Sequence, residues 1–316
     1  MDCWIRSVGS SGSRLLRRGL GFGGCGRVDS FRGRFRGRDS RLPRATSVDG
    51  CDAFPRLATD GSGTWVTVWH SHDGEGVYEG DIAFSRSTDL GETWSGLSLL
   101  DANFEIEEAF DDNPAIASAG EGQFMVVWES SDSEDSPLGS DFDTLWARST
   151  DGANTFGSPQ ALLVTAATDG IDDGAPDLLA DGVGGYFVVV QTGDDAKALV
   201  GSRFSAGADV WSPHELVGMG STGAPELRLA TDGVGHWMYA YFTWEFFGGD
   251  GDIVMSYSLD DTRTWTFPAV IDQGALTDDL RDAFPTVATD GRGTWVAAWT
   301  TRSFFRRIKI ATSTCP

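Results

Sequence analysis

Residues 54–69 read F-P-R-L-A-T-D-G-S-G-T-W-V-T-V-W and contain a short strand, a tight turn and a second strand. The Asp60-Gly61 pair supplies the positive φ that a hairpin turn needs. From Trp65 to Trp69, aromatic and Thr side chains alternate with valines, which is the period-two pattern of a β-strand. The stretch therefore predicts a β-hairpin.

This pattern returns four more times along the chain. The repeats start near residues 54, 113, 175, 224 and 284, and the first glycine of each turn falls at 61, 120, 182, 233 and 291. A repeat of roughly 50 to 60 residues with four short strands is typical of a propeller blade. One blade cannot bury both of its faces, so blades must stack around an axis. We predict an all-β propeller of about five four-stranded blades over residues 46–316.

The fifth repeat ends before its fourth strand. We therefore expect the last blade to be incomplete in this sequence or to be closed by the N-terminal segment. Residues 41–50 are the candidate for the missing strand. The alternative is that the chain is a fragment of a longer propeller.

A second motif marks the turn between the third and fourth strands. It reads S-x-D-x-G-x-T-W at residues 87–94, and copies at 149–156 and 258–265 keep the Ser, the Asp and the Thr. An Asp at such a turn can accept hydrogen bonds from the turn amides, so a structural role is expected. The motif residues are Ser87, Asp89, Gly91, Trp94, Ser149, Asp151, Phe156, Ser258, Asp260 and Trp265.

Together the two motifs resemble the BNR/Asp-box β-propellers of the sialidase superfamily, over about residues 50–316. The resemblance implies that the Asp and the aromatic residue of each box are folding elements and not catalytic groups. It also implies what an active sialidase would need. That set is an arginine triad, an acid/base Asp and a Tyr–Glu pair that supplies the nucleophile.

One arginine of that triad should stand two residues before the repeated proline. The residues found there are Ala53, Asp112, Gly174, Gly223 and Ala283. Arg56, Arg228 and Arg281 lie nearby at other offsets and do not align as a triad from the sequence. We therefore expect a secreted or surface propeller that binds an extracellular glycan or protein, and we leave catalysis open. The alternatives are an exo-α-sialidase or related glycoside hydrolase, and a structural blade array of a larger surface protein.

The charge is unevenly distributed along the chain. Residues 1–45 carry 11 Arg and 3 Asp, whereas the rest carries 13 basic and 44 acidic residues, within a total net charge of −23. We interpret residues 1–45 as a disordered Arg/Gly-rich leader; an RNA-binding segment is the alternative.

The acidic body should repel nucleic acid and anionic membranes. No apolar run of about 18 residues occurs, so no membrane span is expected. We expect a monomer.

Most acidic residues of the body fall in segments predicted at one face of the propeller. Asp141 with Asp143, and Asp250 with Asp252, place two carboxylates two residues apart, a pattern that could hold Ca²⁺. The alternative is that exposed loops of an acidic protein are simply acidic. Further ligand candidates at this face are Asp112, Arg281, Asp282, Trp244 and Phe246. The two aromatic residues could stack on a neutral sugar or cover a blade edge.

Two cysteines flank the repeats. Cys51 precedes the first blade and Cys315 ends the last. In a closed propeller these ends meet, so we hypothesise a disulfide between them, which would imply an oxidising compartment.

Overall fold

The computed structural model describes residues 4–8, 51–72, 80–100, 110–131, 141–163, 170–193, 197–220, 226–244, 251–272, 280–302 and 306–314. Within these ranges every regular element is a β-strand, which confirms the all-β prediction. No helix of the described residues is long and apolar enough to cross a membrane.

The strands form five antiparallel sheets, one for each sequence repeat. Sheet 1 contains β2 (Cys51–Thr59), β3 (Trp65–His72), β4 (Asp81–Ser87) and β5 (Ser98–Leu99). Sheet 2 contains β6 (Phe110–Gly120), β7 (Gln123–Ser131), β8 (Phe142–Ser149) and β9 (Gln160–Ala161). Sheet 3 contains β10 (Asp173–Ala180), β11 (Tyr186–Thr192), β12 (Ala198–Ser205), β13 (Val210–Trp211) and β14 (Glu215–Met219). Sheet 4 contains β15 (Arg228–Thr231), β16 (Trp237–Thr243), β17 (Asp252–Ser258) and β18 (Ala269–Val270).

Sheet 5 takes its fourth strand from the N-terminus of the chain. It contains β19 (Arg281–Thr289), β20 (Thr294–Arg302), β21 (Arg306–Thr314) and β1 (Trp4–Val8). Because β1 pairs with β21, with Trp4 opposite Thr314, the prediction of residues 41–50 for this place was wrong. Apart from residues 4–8, the predicted leader of residues 1–45 lies outside the described residues, and the leader stays a prediction.

Apolar packing joins consecutive sheets. Four clusters of buried side chains fill the junctions between sheets 1 and 2, 2 and 3, 3 and 4, and 4 and 5. The central strands supply most of them, because their alternating side chains reach both neighbouring sheets. Trp128, Trp237 and Trp299 are fully buried in these clusters. The first strand of each repeat (β2, β6, β10, β15 and β19) is called the inner strand below.

The hairpin turns and the eight-residue motifs lie together at one end of the sheets, the turn end. In the first motif, Asp89 Oδ1 accepts from the Thr93 amide at 2.8 Å and Oδ2 accepts from the Thr93 hydroxyl at 2.6 Å. The amide of Leu90 donates to the Gly63 carbonyl, which ties the motif to the hairpin turn of the same sheet. Asp151 and Asp260 make the same bonds in their own turns.

An arginine in the third strand of sheets 1 to 3 reaches the following sheet. Arg86 donates to the Gly152 carbonyl at 3.1 Å and to Asn154 Oδ1 at 2.8 Å, both in the motif of sheet 2. The equivalent pairs are Arg148 with Asp209 and Arg203 with Asp261. Each of these arginines therefore links its own sheet to the turn after the third strand of the following sheet.

The motif aspartates make the stability pH-dependent. Hydrogen bonds from Thr93 and Ser87 lower the pKa of Asp89 to about 2, and those of Thr155 and Ser149 lower the pKa of Asp151 to about 2, from 3.8. A lowered carboxyl pKa contributes stability that is complete above the unfolded pKa and disappears as pH falls through the folded one. We expect Asp89→Asn to destabilise the protein at pH 7, and the difference from wild type to shrink between about pH 4 and pH 2.

Urea unfolding at pH 7 and near pH 2.5 measures this difference. Glu92→Gln is the matched control, because it removes a carboxylate from the same turn without removing the bonds of Asp89. A destabilisation by Asp89→Asn that is equal at both pH values would contradict the prediction.

Candidate functional site

The candidate site lies at the loop end of the sheets, where each inner strand begins and the second strand finishes. Inner strands there contain a β-bulge at the repeated proline. The residue before the proline has a left-handed φ of 48° to 56° wherever it is described, namely at Phe54, Asn113, Ala175 and Phe284. Non-glycine residues rarely adopt this conformation, and such strain concentrates at functional sites.

Two glutamates bind the bulges across sheet junctions. Glu129 Oε2 accepts from the Ala175 amide at 2.8 Å, and Glu226 accepts from the Phe284 amide. Burial raises the pKa of both glutamates, and these hydrogen bonds partly offset it. The glutamates therefore hold the next inner strand in its strained shape.

Below the bulges, one position on each inner strand is equivalent in register. Its residues pair with Val68, Val127, Val189, Ala240 and Ala298 of the second strands. The occupants of this position are Arg56, Ala115, Asp177, Arg228 and Thr286. Two arginines and one aspartate, Arg56, Arg228 and Asp177, therefore occupy equivalent positions on three inner strands.

These three charged residues influence one another. Burial and the positive charge of Arg228 lower the pKa of Arg56, whereas the carboxylate of Asp177 raises it. Burial raises the pKa of Asp177, and Arg228 and Arg56 both act in the opposite direction. Arg56 Nε donates to the Pro114 carbonyl at 3.1 Å, and Asp177 Oδ2 accepts from the Leu229 amide at 2.6 Å. The three residues form one electrostatic group, called the axial triad below.

The axial triad is not recognisable when the repeats are aligned on the proline. Two extra residues follow Pro225 in the fourth repeat, so Arg228 stands three residues after its proline and Arg56 one residue after its own. The hairpin turn is the better reference. Arg56, Asp177 and Arg228 each stand four residues before the Asp of the D-G turn.

Arg281 and Trp244, both ligand candidates, meet at the loop end of sheets 4 and 5. The Arg281 guanidinium lies 4.9 Å from the Trp244 ring centroid and 5.0 Å from that of Phe242. Trp244 remains 38% exposed. Burial raises the pKa of Glu226, and the charges of Arg228 and Arg281 both oppose this rise, so both arginines are within electrostatic range of Glu226. Phe246 lies outside the described residues.

The candidates Asp112 and Asp282 begin two inner strands. Asp112 Oδ1 is 3.6 Å from His70 Nδ1, and burial raises its pKa. Asp282 is buried, accepts from Trp299 Nε1 at 2.8 Å and lies 3.7 Å from Lys309 Nζ. Burial raises the pKa of Asp282 to about 6. Asp112 faces Glu129 across the strand pair, whereas Asp282 belongs to the junction of sheets 4 and 5.

The proposed calcium ligands are only partly described. Asp143 and Asp252 are buried at the starts of β8 and β17, Asp141 is part-buried, and Asp250 lies outside the described residues. In the described part of the chain, no group of three His, Cys, Asp or Glu residues could hold a metal ion. Calcium binding stays a prediction. The disulfide does too, because Cys315 lies outside the described residues.

Comparison with known proteins supports the fold. No protein-family model matches the sequence, and no curated protein is significantly similar to it. The similar solved structures include two sialidases and a trans-sialidase. The Hadza microbial sialidase Hz136 is 15% identical (TM-score 0.50), with 85% of this chain and 66% of that chain covered. The intramolecular trans-sialidase from Ruminococcus gnavus, solved with oseltamivir carboxylate, is 12% identical (TM-score 0.57), with 84% and 83% covered.

The Trypanosoma rangeli sialidase, solved with sialic acid, is 13% identical (TM-score 0.52), with 89% of this chain and 57% of that chain covered. The chain therefore spans less than two thirds of the length of Hz136 and of the Trypanosoma enzyme. Identities this low show the fold and not the activity. The chain has a β-propeller fold similar to that of these sialidases.

Proposed function

We propose that this chain is a glycan-binding propeller that takes a carboxylate-bearing sugar at its loop end, outside the cell or at its surface. The observation that carries the proposal is the equivalent placement of Arg56 and Arg228 on two inner strands, with Arg281 near them. Guanidinium groups bind carboxylates with two parallel hydrogen bonds. Two similar structures contain carboxylate ligands, sialic acid and oseltamivir carboxylate.

The carboxylates of the site set the pH dependence of binding. Asp177 and Glu226 lie within electrostatic range of the arginines and would compete with a ligand carboxylate. Burial raises the pKa of both, so they take up protons before ordinary carboxyls as pH falls. Protonation removes the competing charge and leaves the arginines charged. The proposal therefore includes tighter binding of an acidic sugar at mildly acidic pH than at neutral pH.

The test is calorimetric titration with N-acetylneuraminic acid and, as a neutral reference, N-acetylglucosamine. The double variant Arg56→Ala/Arg228→Ala should lose at least roughly a hundredfold in affinity for the acidic sugar, because charge-assisted hydrogen bonds contribute about 1.5–3 kcal/mol each and every 1.4 kcal/mol is about tenfold in affinity. Arg292→Ala removes the same charge at the turn end and should leave the affinity unchanged. Equal affinity for both sugars, or no effect of the double variant, would refute the proposal.

Hydrolysis of a sialoside is the second candidate. Asp112 and Glu129 face each other on adjacent strands, and burial raises the pKa of each, as a general acid requires. Binding ranks first because Tyr186, Tyr239 and Tyr241, the described tyrosines of the central strands, are fully buried in the core. Release of a fluorophore from a sialoside, abolished in Asp112→Asn, would establish the hydrolase.

A further inference from the structure

A lysine lies against two buried aspartates at the junction of sheets 4 and 5. Lys309 Nζ contacts Asp272 Oδ2 directly and is 3.7 Å from Asp282 Oδ2. Asp272 follows β18 of sheet 4, whereas Asp282 and Lys309 belong to β19 and β21 of sheet 5. The side chains of Asp272 and Asp282 are only 9% and 2% exposed. These three residues, called the Lys309 cluster below, therefore hold an amine against two carboxyl groups that water barely reaches.

The surroundings of the Lys309 cluster are apolar. Trp299 and Ile271 belong to the buried cluster between sheets 4 and 5, and Trp299 Nε1 donates to Asp282 Oδ2 at 2.8 Å. Burial raises the pKa of Asp282 to about 6, and a hydrogen bond with the Asp272 carboxyl acts in the same direction, whereas the charge of Lys309 opposes the rise. Two carboxyl groups so close together share a proton. The cluster can therefore hold a proton on a carboxyl next to the amine.

The cation at this place is a lysine in a chain that uses arginine almost everywhere. The sequence contains 22 Arg and 2 Lys, which are Lys197 and Lys309. Arginines link sheets 1 to 2, 2 to 3 and 3 to 4, as described above, but the residue of sheet 4 equivalent to Arg86 is Tyr257. The cluster links sheets 4 and 5 instead. A guanidinium is always charged and forms ion pairs, whereas a lysine amine can also act as a nucleophile.

We propose that Lys309 Nζ and Asp272 Cγ form an amide bond within the chain, which joins sheets 4 and 5 covalently. The ammonium group first gives one proton to the Asp272 carboxylate by way of Asp282. The neutral amine then attacks Cγ, and a C–N bond forms. Asp282 takes a second proton from Nζ and passes it to the Asp272 hydroxyl, whose C–O bond breaks as water leaves. The products are one amide and one water. Asp282 ends in its initial state, and no oxidant or reductant is consumed.

The geometry and the burial of the cluster both favour this reaction. The fold holds the amine against the carboxyl, so no bimolecular encounter is needed. Burial disfavours the charged forms of amines and carboxyls alike, and the neutral forms are the ones that react. The bond would join residues 37 positions apart and enclose β19 and β20. It would therefore restrict the unfolded chain as a disulfide does.

Peptide mapping of the full chain tests the proposal. Trypsin cuts after arginine and after unmodified lysine, so the amide would join peptide 264–281 to peptide 308–316 and block cleavage after Lys309. We expect the wild type to yield this branched peptide, lighter than the two peptides together by one water molecule. Reduction and alkylation before digestion exclude a disulfide through Cys315.

Substitutions within the Lys309 cluster separate the roles of its members. Lys309→Arg keeps the charge but removes the amine, and Asp272→Ala removes the carboxyl that is attacked, so neither variant should yield the branched peptide. Asp282→Asn should slow its formation by roughly a hundredfold, the usual contribution of a positioned proton-transfer group. The rate is measured as the branched fraction in samples taken at intervals after pulse-labelled expression. Lys197→Arg, at the other lysine, is the matched control and should yield as much branched peptide as the wild type.

The wild-type map decides the question even where a variant fails to fold, which circular dichroism would show. A folded wild type that releases peptide 264–281 separately and is cut after Lys309 would overturn the proposal, because an ion pair would then be the whole interaction. A branched peptide that persists in Lys309→Arg would overturn it too, since the bond would then involve another residue.

Discussion

Asp177→Ala is expected to lower the free energy of unfolding by about 3 kcal/mol. The substitution leaves Arg56 and Arg228 close together without the carboxylate that offsets their repulsion. It also removes the acceptor of the Leu229 amide. The three side chains are part-buried, so removing one of them leaves the other charges incompletely solvated and uncompensated, which costs more than the pairing itself contributes. Urea unfolding followed by circular dichroism measures the loss.

An exposed ion pair provides the matched control for this result. Asp209 pairs with Arg148, but its side chain is 70% exposed, so Asp209→Ala should cost less than about 1 kcal/mol. A further substitution, Arg56→Met in the Asp177→Ala background, should recover part of the loss because it removes one uncompensated charge. Similar effects of Asp177→Ala and Asp209→Ala would show that the axial triad is not an electrostatic unit.

Trp128→Ala is expected to cost about 3–5 kcal/mol, the range for deleting a buried large aromatic side chain. Trp128 has no exposed surface and packs in the cluster between sheets 1 and 2. Both sheets contribute to that cluster, so the cavity weakens a junction as well as one sheet. Thermal unfolding by calorimetry and urea unfolding should both report the change.

Trp244→Ala makes the same chemical change at the loop end. Trp244 is part-exposed and stacks with Arg281, so its loss should cost about 1 kcal/mol or less. Because both variants remove a Trp side chain, the difference between their free energies of unfolding measures the effect of burial. If the two variants were equally destabilised, the sheet junctions would not be the main source of stability.

The repeated turns explain why the fold could be read from the sequence. A D-G turn and the eight-residue motif act through local bonds, such as those from Thr93 to Asp89, that form within a few residues. The alternation from Trp65 to Trp69 likewise needs only the strand period to be recognised. Local chemistry of this kind can be recognised in the sequence alone, and it predicted the hairpin strands of all five repeats.

The ligand candidates were predicted less completely. Arg281 and Trp244 were named and do meet, but the axial triad was missed because the fourth repeat has two extra residues before Arg228. Glu129 carries no local signal, since its partner Ala175 is 46 residues away. Only the pairing register and the stacking of sheets bring such residues together.

The sequence by itself determined the repeat, the turn chemistry and the propeller class of this protein, because each depends on neighbours within one hairpin. The tertiary structure alone decided which charges meet inside the propeller and which strand completes sheet 5. Trp4–Val8 pairs with β21 across almost the whole chain, and no local pattern fixes such a contact. Long-range strand pairing is selected by the free edge and the faces left after the other strands have packed, and these exist only in the folded protein.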